Sequence, residues 1–315
     1  MHLNSDQLQI VHSSLKPSDL TIAAMDTLVF KTNDTGDVIY PPNLRPPVLK
    51  LIVIPTTLSA AEYNTASGAT HPATHKKAGF AHPLCAPKCI ILDPGLCTTT
   101  PQRLWLSTGM RAVDHCVEAL CTDLCTRQVA QSADEGLRCL VSGLLACRAD
   151  ATTTDDADAA GVAARSTCQF GAWKAMHAVH CQVPLGASHA IGHQLGSVAG
   201  VPHGETSCVM LPAVMKYNKG ANSARQERVA DILWSVAGQL FAGVGLARDK
   251  ADAGDLIKAL VRRLGLPTTL GEVGVSEEAV LDRIAEHTLT DMWGKTNPRR
   301  LDNKEQVREI LRMAS

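Results

Sequence analysis

From residue 96 onward the chain reads as one helical run after another. LSTGMRAVDHCVEALCTDLC, VAQSADEGLRCLVSGLLACRA and DDADAAGVAARSTCQFGAWKAMHAVH each place apolar residues three and four apart, with Ser, Thr or Asp positioned to cap them. Further helices are expected at about 224–242, 251–264, 276–287 and 303–314, punctuated by Leu266-Pro267 and Asn297-Pro298. Ahead of them, LKLIVIP at 49–55 and KCIILD at 88–93 have the length and β-branched content of buried parallel strands. A chain of 315 residues is long for one core and comfortable for two. The expected architecture is a small α/β piece over residues 1–95, followed by an all-α domain over 96–315.

Composition narrows the partners. A formal net charge of −1 gives no electrostatic case for nucleic acid or an anionic membrane, so a small molecule is the expected ligand. No apolar run approaches the roughly 18 residues that span a bilayer. The N-terminal MHLNSDQLQIVHSS has neither the basic start nor the apolar stretch of a signal peptide, and a cytoplasmic location is expected. The cysteines are odd in number, 11, and Cys116, Cys121, Cys125, Cys139 and Cys147 fall in helical stretches, which suits reduced, buried thiols. Cys85, Cys89 and Cys97 are loosely spaced for a metal, but no second ligand pair follows at a zinc-like interval.

The stretch SHAIGHQLGSVAGVPHG, residues 188–204, concentrates histidines. His189 and His193 are four apart and share a helix face, while Gly200 and Pro202 end that helix and turn the chain back to present His203. In TGMRAVDHCVEAL, Arg111, His115 and Glu118 form one stripe. Three neutral imidazoles plus water complete a catalytic zinc site, and histidine with carboxylate suits ferrous iron. Taken singly, each histidine is more often a satisfied core or surface residue; four in this arrangement point to a site.

Five stretches, PTTLSAAEY, ILDPGLCTTTP, STGMRAVDHCVEAL, GASHAIGHQLGSVAGVPHGETSCVMLP and NPRRLDNKEQVREIL, in that order resemble the iron-containing (group III) alcohol dehydrogenases, above all their maleylacetate reductase-like branch. The resemblance implies that family's dehydroquinate synthase-like architecture, a nucleotide-binding α/β domain coupled to an all-α domain with the substrate and any metal between them. It implies His115, His189 and His203 as metal ligands, and His193 as the histidine that relays a proton to the substrate oxygen. It also implies that Thr56 and Thr57 touch the nicotinamide cofactor.

Two departures from the family pattern bear on chemistry. Arg111 stands where the family carries a metal-binding aspartate, and a unit charge about 5 Å from a divalent ion costs on the order of 5 kcal/mol unless Glu118 or Asp114 offsets it. Zinc or iron thus stays open, and the resemblance is to a branch that works without metal. With His115 and Arg111 beside it, His193 is the expected general acid or base, in a pocket suited to an anionic substrate. The second departure is the phosphate-binding glycine turn: residues 1–48 hold one glycine, Gly36, and the Gly-x-Gly of GVGLARD follows a helix rather than a strand. At least two βα units, each on the order of 30 residues, are therefore expected to be absent, and NAD(P)H binding stays open.

Three functions follow. The first is a reductase or dehydrogenase of a small carbonyl or enoyl acid using NAD(P)H. The second is a non-redox acid–base enzyme, such as a dehydratase, isomerase, decarboxylase or cyclase, that reuses the histidine pocket. The third is a non-catalytic binding relative. The exposed edges of a remnant sheet would favour a homodimer.

Overall fold

Residues 22–33, 38–70, 77–149 and 157–315 are described by the computed structural model. The chain divides into two units, Met1–Pro55 with Ala60–Ile91, and Thr56–Ser59 with Leu92–Ser315. The helical unit thus takes in Thr56 and Thr57 and begins a few residues before the boundary read from the sequence.

The first unit holds a short helix α1 (Ile22–Asp26) and strands β1 (Lys31–Thr32), β2 (Val38–Ile39), β3 (Ile52–Val53), β4 (Ala66–Thr70), β5 (Lys77–Ala81) and β6 (Cys89–Ile90). Among the described residues these form three separate two-stranded sheets, antiparallel β1–β2 and β4–β5 and parallel β3–β6. The two runs read as strands do pair in parallel, with Ile52 opposite Cys89 and Val53 opposite Ile90. They are not buried strands: the pairing is two residues long, and Ile52, Ile54 and Ile91 are exposed. A parallel strand is buried only when helices cover both faces and neighbours extend the sheet, and no further described strand flanks this pair. The unit's apolar cluster lies elsewhere, around Leu28, Ala69, Phe80 and Cys85.

The second unit is all-helical: α2 (Gln102–Cys121), α3 (Arg127–Ala149), α4 (Ala157–His180), α5 (Ala187–Ala199), α6 (His203–Gly243), α7 (Ala253–Arg263), α8 (Glu278–Thr288) and α9 (Lys304–Met313). α2 is its centre, buried without a break from Trp105 to Cys121 and packed on α3, α4 and α6. Asp252 with Asp255 and Asn303 with Gln306 close capping boxes at the starts of α7 and α9. α6 starts far ahead of the expected residue 224 and runs on across non-helical backbone at Asn222 and Ala237. Its first turns, Gly204–Met215, are buried all round and include Pro212, so they carry no amphipathic stripe to read. All cysteines are free thiols, and no described helix is long and apolar enough to cross a membrane.

The histidine stretch folds as its punctuation demands. Gly200 takes the left-handed conformation, φ 70°, and its N–H closes on Gly196 O, which ends α5. Pro202 then precedes His203, the first residue of α6. Gly204 lets this helix start press against α2, because a Cβ there would lie 2.6 Å from the carbonyl carbon of Ser107. Gly204→Ala should therefore lower stability by about 1–3 kcal/mol through overpacking. Gly220→Ala, in the same helix with nothing within 4 Å of the new methyl, should raise it by about 0.5–1 kcal/mol. Thermal melts of the two variants should move in opposite directions.

Candidate active site

One face of α2 carries Arg111, Asp114, His115 and Glu118, all buried. The start of α5 lies against it. Gly186 N–H donates to Glu118 Oε2 and Ser188 N–H to Glu118 Oε1, both at 2.9 Å, so a carboxylate from α2 caps a helix whose own N-cap residue has no side chain to do so. Gly186 cannot be larger, since a Cβ would sit 2.9 Å from both Glu118 Oε1 and Asn297 Oδ1. Glu118 Oε2 also holds His189 Nδ1 at 2.7 Å. Asp114 Oδ2 accepts from the hydroxyls of Ser188 on α5, at 2.7 Å, and Ser207 on α6, at 2.6 Å. Arg111 Nη1 donates to Ser207 Oγ at 3.0 Å and lies 3.8 Å from Asp114 Oδ2.

The four histidines converge as two stacked pairs. His115 lies on His189 with ring centroids 4.7 Å apart, and His193 faces His203 at 6.3 Å with planes 10° apart. The first pair is buried, His193 is part-buried, and His203 is exposed. His193 Nδ1 is 2.9 Å from Asp291 Oδ2, in the loop after α8.

Burial sets the charges. It pushes Asp114 up to about 6, against Arg111 and the two serine hydroxyls. Burial and then Asp114 push Glu118 up to about 8, against the two backbone N–H groups and Arg111. Burial first, and Arg111 next, hold His115 and His189 well below the usual imidazole range, so both are neutral. Burial also lowers Arg111, which Asp114, Glu118 and Asp291 support as a cation. Arg111 Nε, Asp114 Oδ1, His115 Nδ1 and His189 Nε2 are buried without a hydrogen-bond partner, and are the atoms that ordered water or a ligand would satisfy.

Among the described residues, the group that brings three ligand atoms within 4.8 Å of one another is Asp114, Glu118 and His189. The implied trio of His115, His189 and His203 is not gathered in this way, because His203 lies with His193 on the exposed side. Nor does the compact group fit a divalent ion. Both Glu118 oxygens and Asp114 Oδ2 already accept hydrogen bonds, which leaves an ion only Asp114 Oδ1 and His189 Nε2 as open ligand atoms, and a buried guanidinium stands 3.8 Å from Asp114. A dication among these atoms would meet repulsion on the order of 5 kcal/mol.

Thr56 and Thr57 belong to a turn fastened to the same helical unit. Thr100 Oγ1 donates to Thr56 O at 2.7 Å, and Leu58 N–H donates to Thr108 Oγ1 at 3.2 Å, one turn of α2 before Arg111. Leu58 is buried beneath, leaving Thr56 exposed and Thr57 half-buried. Among the described residues no strand, glycine turn and helix follow one another to hold a pyrophosphate, and the Gly-x-Gly at 243–245 ends α6 instead.

The sequence reading missed Asp291 and Asn297 as parts of the site. Asn297 Oδ1 accepts from Ala187 N–H at 3.1 Å and from Asn218 Nδ2 at 2.9 Å, tying the loop to the start of α5 and to α6. Both residues stand about a hundred positions from the histidines, outside the reach of helical spacing, and the Asn-Pro pair at 297–298 was legible only as punctuation.

A family model, the C-terminal domain of the Fe-containing alcohol dehydrogenases, matches residues 105–315. The chain belongs to the iron-containing alcohol dehydrogenase family. It is 38% identical over 291 residues to the dehydrogenase FUM7 of Gibberella moniliformis, covering 86% of this chain and 66% of that protein. It is 30% identical to the maleylacetate reductase of Burkholderia cepacia, over 84% of this chain and 67% of that one. The crystal structure of maleylacetate reductase from Rhizobium sp. strain MTP-10005 aligns with a TM-score of 0.66 at 27% identity, again over 84% and 67%. Within that family the chain falls in the maleylacetate reductase-like branch, and it spans about two thirds of the length of these relatives.

The buried carboxyl at Glu118 makes stability depend on pH. Its folded value of about 8 exceeds the ordinary 4.5, so folded protein keeps a proton that unfolded chain has released, and stability falls as pH rises through that window. Below about 6.5 the neutral His115 and His189 act in the opposite sense, which leaves the loss uncompensated between about pH 6.5 and 8. The slope for one proton is about 1.4 kcal/mol per pH unit. Denaturant unfolding should show stability declining across this range in the native chain, and Glu118→Gln should flatten the decline whatever its overall stability.

Proposed function

We propose that the chain is a reductase of the maleylacetate reductase type, acting on a small anionic carbonyl or enoyl acid with NAD(P)H. The observation that carries this reading is the His193–Asp291 pair, a part-buried imidazole held by a carboxylate in the same helical unit as Arg111 and the Thr56–Thr57 turn. Carbonyl reduction needs a hydride at carbon and a proton at oxygen, and a bound nicotinamide supplies the hydride. His193 supplies the proton as general acid. His115 and His189, held neutral by burial, serve as hydrogen-bonding groups rather than acids. Arg111 is engaged by Ser207 and Asp114, so it acts through its positive field on an anionic oxygen, not as a forked clamp on a carboxylate.

A second reading, acid–base chemistry without a dinucleotide at the same His193, is favoured by one observation: no pyrophosphate turn among the described residues. Fluorescence titration with NADH and NADPH separates the two. The reductase reading expects micromolar binding, and reduction of keto or enoyl acids that falls by roughly 100-fold or more in His193→Asn. Absence of binding at millimolar cofactor would overturn it and leave the proton-transfer reading, to be followed by deuterium exchange into candidate acids.

A further inference from the structure

We propose that Asp291 is the positioning residue of His193, fixing the ring so that its proton moves through Nε2; this rests on the reading of His193 as the proton-moving group. Asp291 lies in the loop between α8 and α9, where its N–H returns to Thr288 O at 3.0 Å. Asp291 Oδ1 accepts from the backbone N–H of Trp293 at 3.1 Å, an Asx-type turn that stops the carboxylate from rotating. Asp291 Oδ2 faces α5, where Gln194 Nε2 donates to it at 3.1 Å and His193 Nδ1 approaches to 2.9 Å.

The chemistry of that contact assigns the tautomer. An ionised carboxylate only accepts hydrogen bonds, so the imidazole nitrogen against it must carry the hydrogen. With Nδ1–H committed to Asp291, a proton gained or given by this ring passes through Nε2, and the carboxylate stabilises the imidazolium formed in between. The loop is braced independently of Asp291, since Asn297 Oδ1 holds Ala187 N–H at 3.1 Å and Thr296 Oγ1 donates to Leu185 O at 2.8 Å. Asp291 therefore meets α5 from a fixed base, which is what positioning requires.

One turn earlier, the same helix sets a second histidine against an acidic side chain, with a different outcome. His189 Nδ1 is held by Glu118 at 2.7 Å, but the His189 side chain is 2% exposed against 14% for His193. Two histidines, each with an acidic partner, thus divide into a sealed structural one and an accessible one.

The test is long-range proton–nitrogen NMR of the histidine rings in the full chain labelled with 15N-histidine. Native His193 is expected as the Nδ1–H tautomer. In Asp291→Asn the side-chain oxygen stays with the Trp293 N–H donor and the NH2 turns to His193, which should shift toward Nε2–H while the His189 signals stay in place as a control for folding. Asp291→Glu should restore part of the Nδ1–H form. In turnover, Asp291→Asn should lower kcat on the order of 100-fold with KM changed less than about twofold. A native Nε2–H tautomer, or one unmoved by Asp291→Asn, would overturn the proposal, and the native spectrum alone decides if the variant does not fold. A tautomer that switches while His193→Asn leaves turnover unchanged would uphold the positioning and overturn the functional reading instead.

Discussion

A single carboxylate oxygen, Asp114 Oδ2, joins the three helices on which the site depends. It sits on the central helix α2 and receives the hydroxyls of Ser188 from α5 and Ser207 from α6, while Arg111 stands close enough to balance its charge. A buried carboxylate is costly unless hydrogen-bonded and paired, and this one is both. Because its two partners lie near the starts of α5 and α6, satisfying it fixes where His189, His193 and His203 are carried. Glu118, one turn further along α2, repeats the arrangement by capping α5 and holding His189.

The same pairing decides what the site can be. In a group of buried carboxylates and imidazoles, positive charge has to come from somewhere, and here it comes from a guanidinium covalently part of α2. Arg111 pairs with Asp114, hydrogen-bonds Ser207, and helps to hold His115 and His189 neutral. A mobile dication and a fixed cation compete for one set of oxygens, and the fixed one has no binding entropy to lose. What remains accessible is the His193 side of the cluster, oriented from outside the histidine helix by Asp291.

Much of this was legible in the sequence, and the failures have physical causes. The helices α3, α4 and α7–α9 announce themselves because each has a wet face and a dry one, and α2, though buried almost throughout, because its polar residues keep to one stripe; the first turns of α6 are buried all round and gave no period. The four histidines stood out because helical spacing and the Gly200-Pro202 stop work over a few residues, which is also why Asp291 and Asn297, about a hundred positions away, did not. β3 and β6 were read correctly as parallel strands but wrongly as buried ones, since β-branched composition reports pairing preference and not whether anything covers the faces. That Thr56 and Thr57 fold with the helical unit depends on Thr100 and Thr108, which no local pattern links to them.

A buried arginine thus stands in the electrostatic role that a metal ion would have at this site. Elemental analysis of the native chain, after saturation with zinc or ferrous iron and removal of loosely bound ions, tests it directly. Far less than one ion per chain is expected. One tightly held ion per chain, lost in His189→Ala, would contradict it.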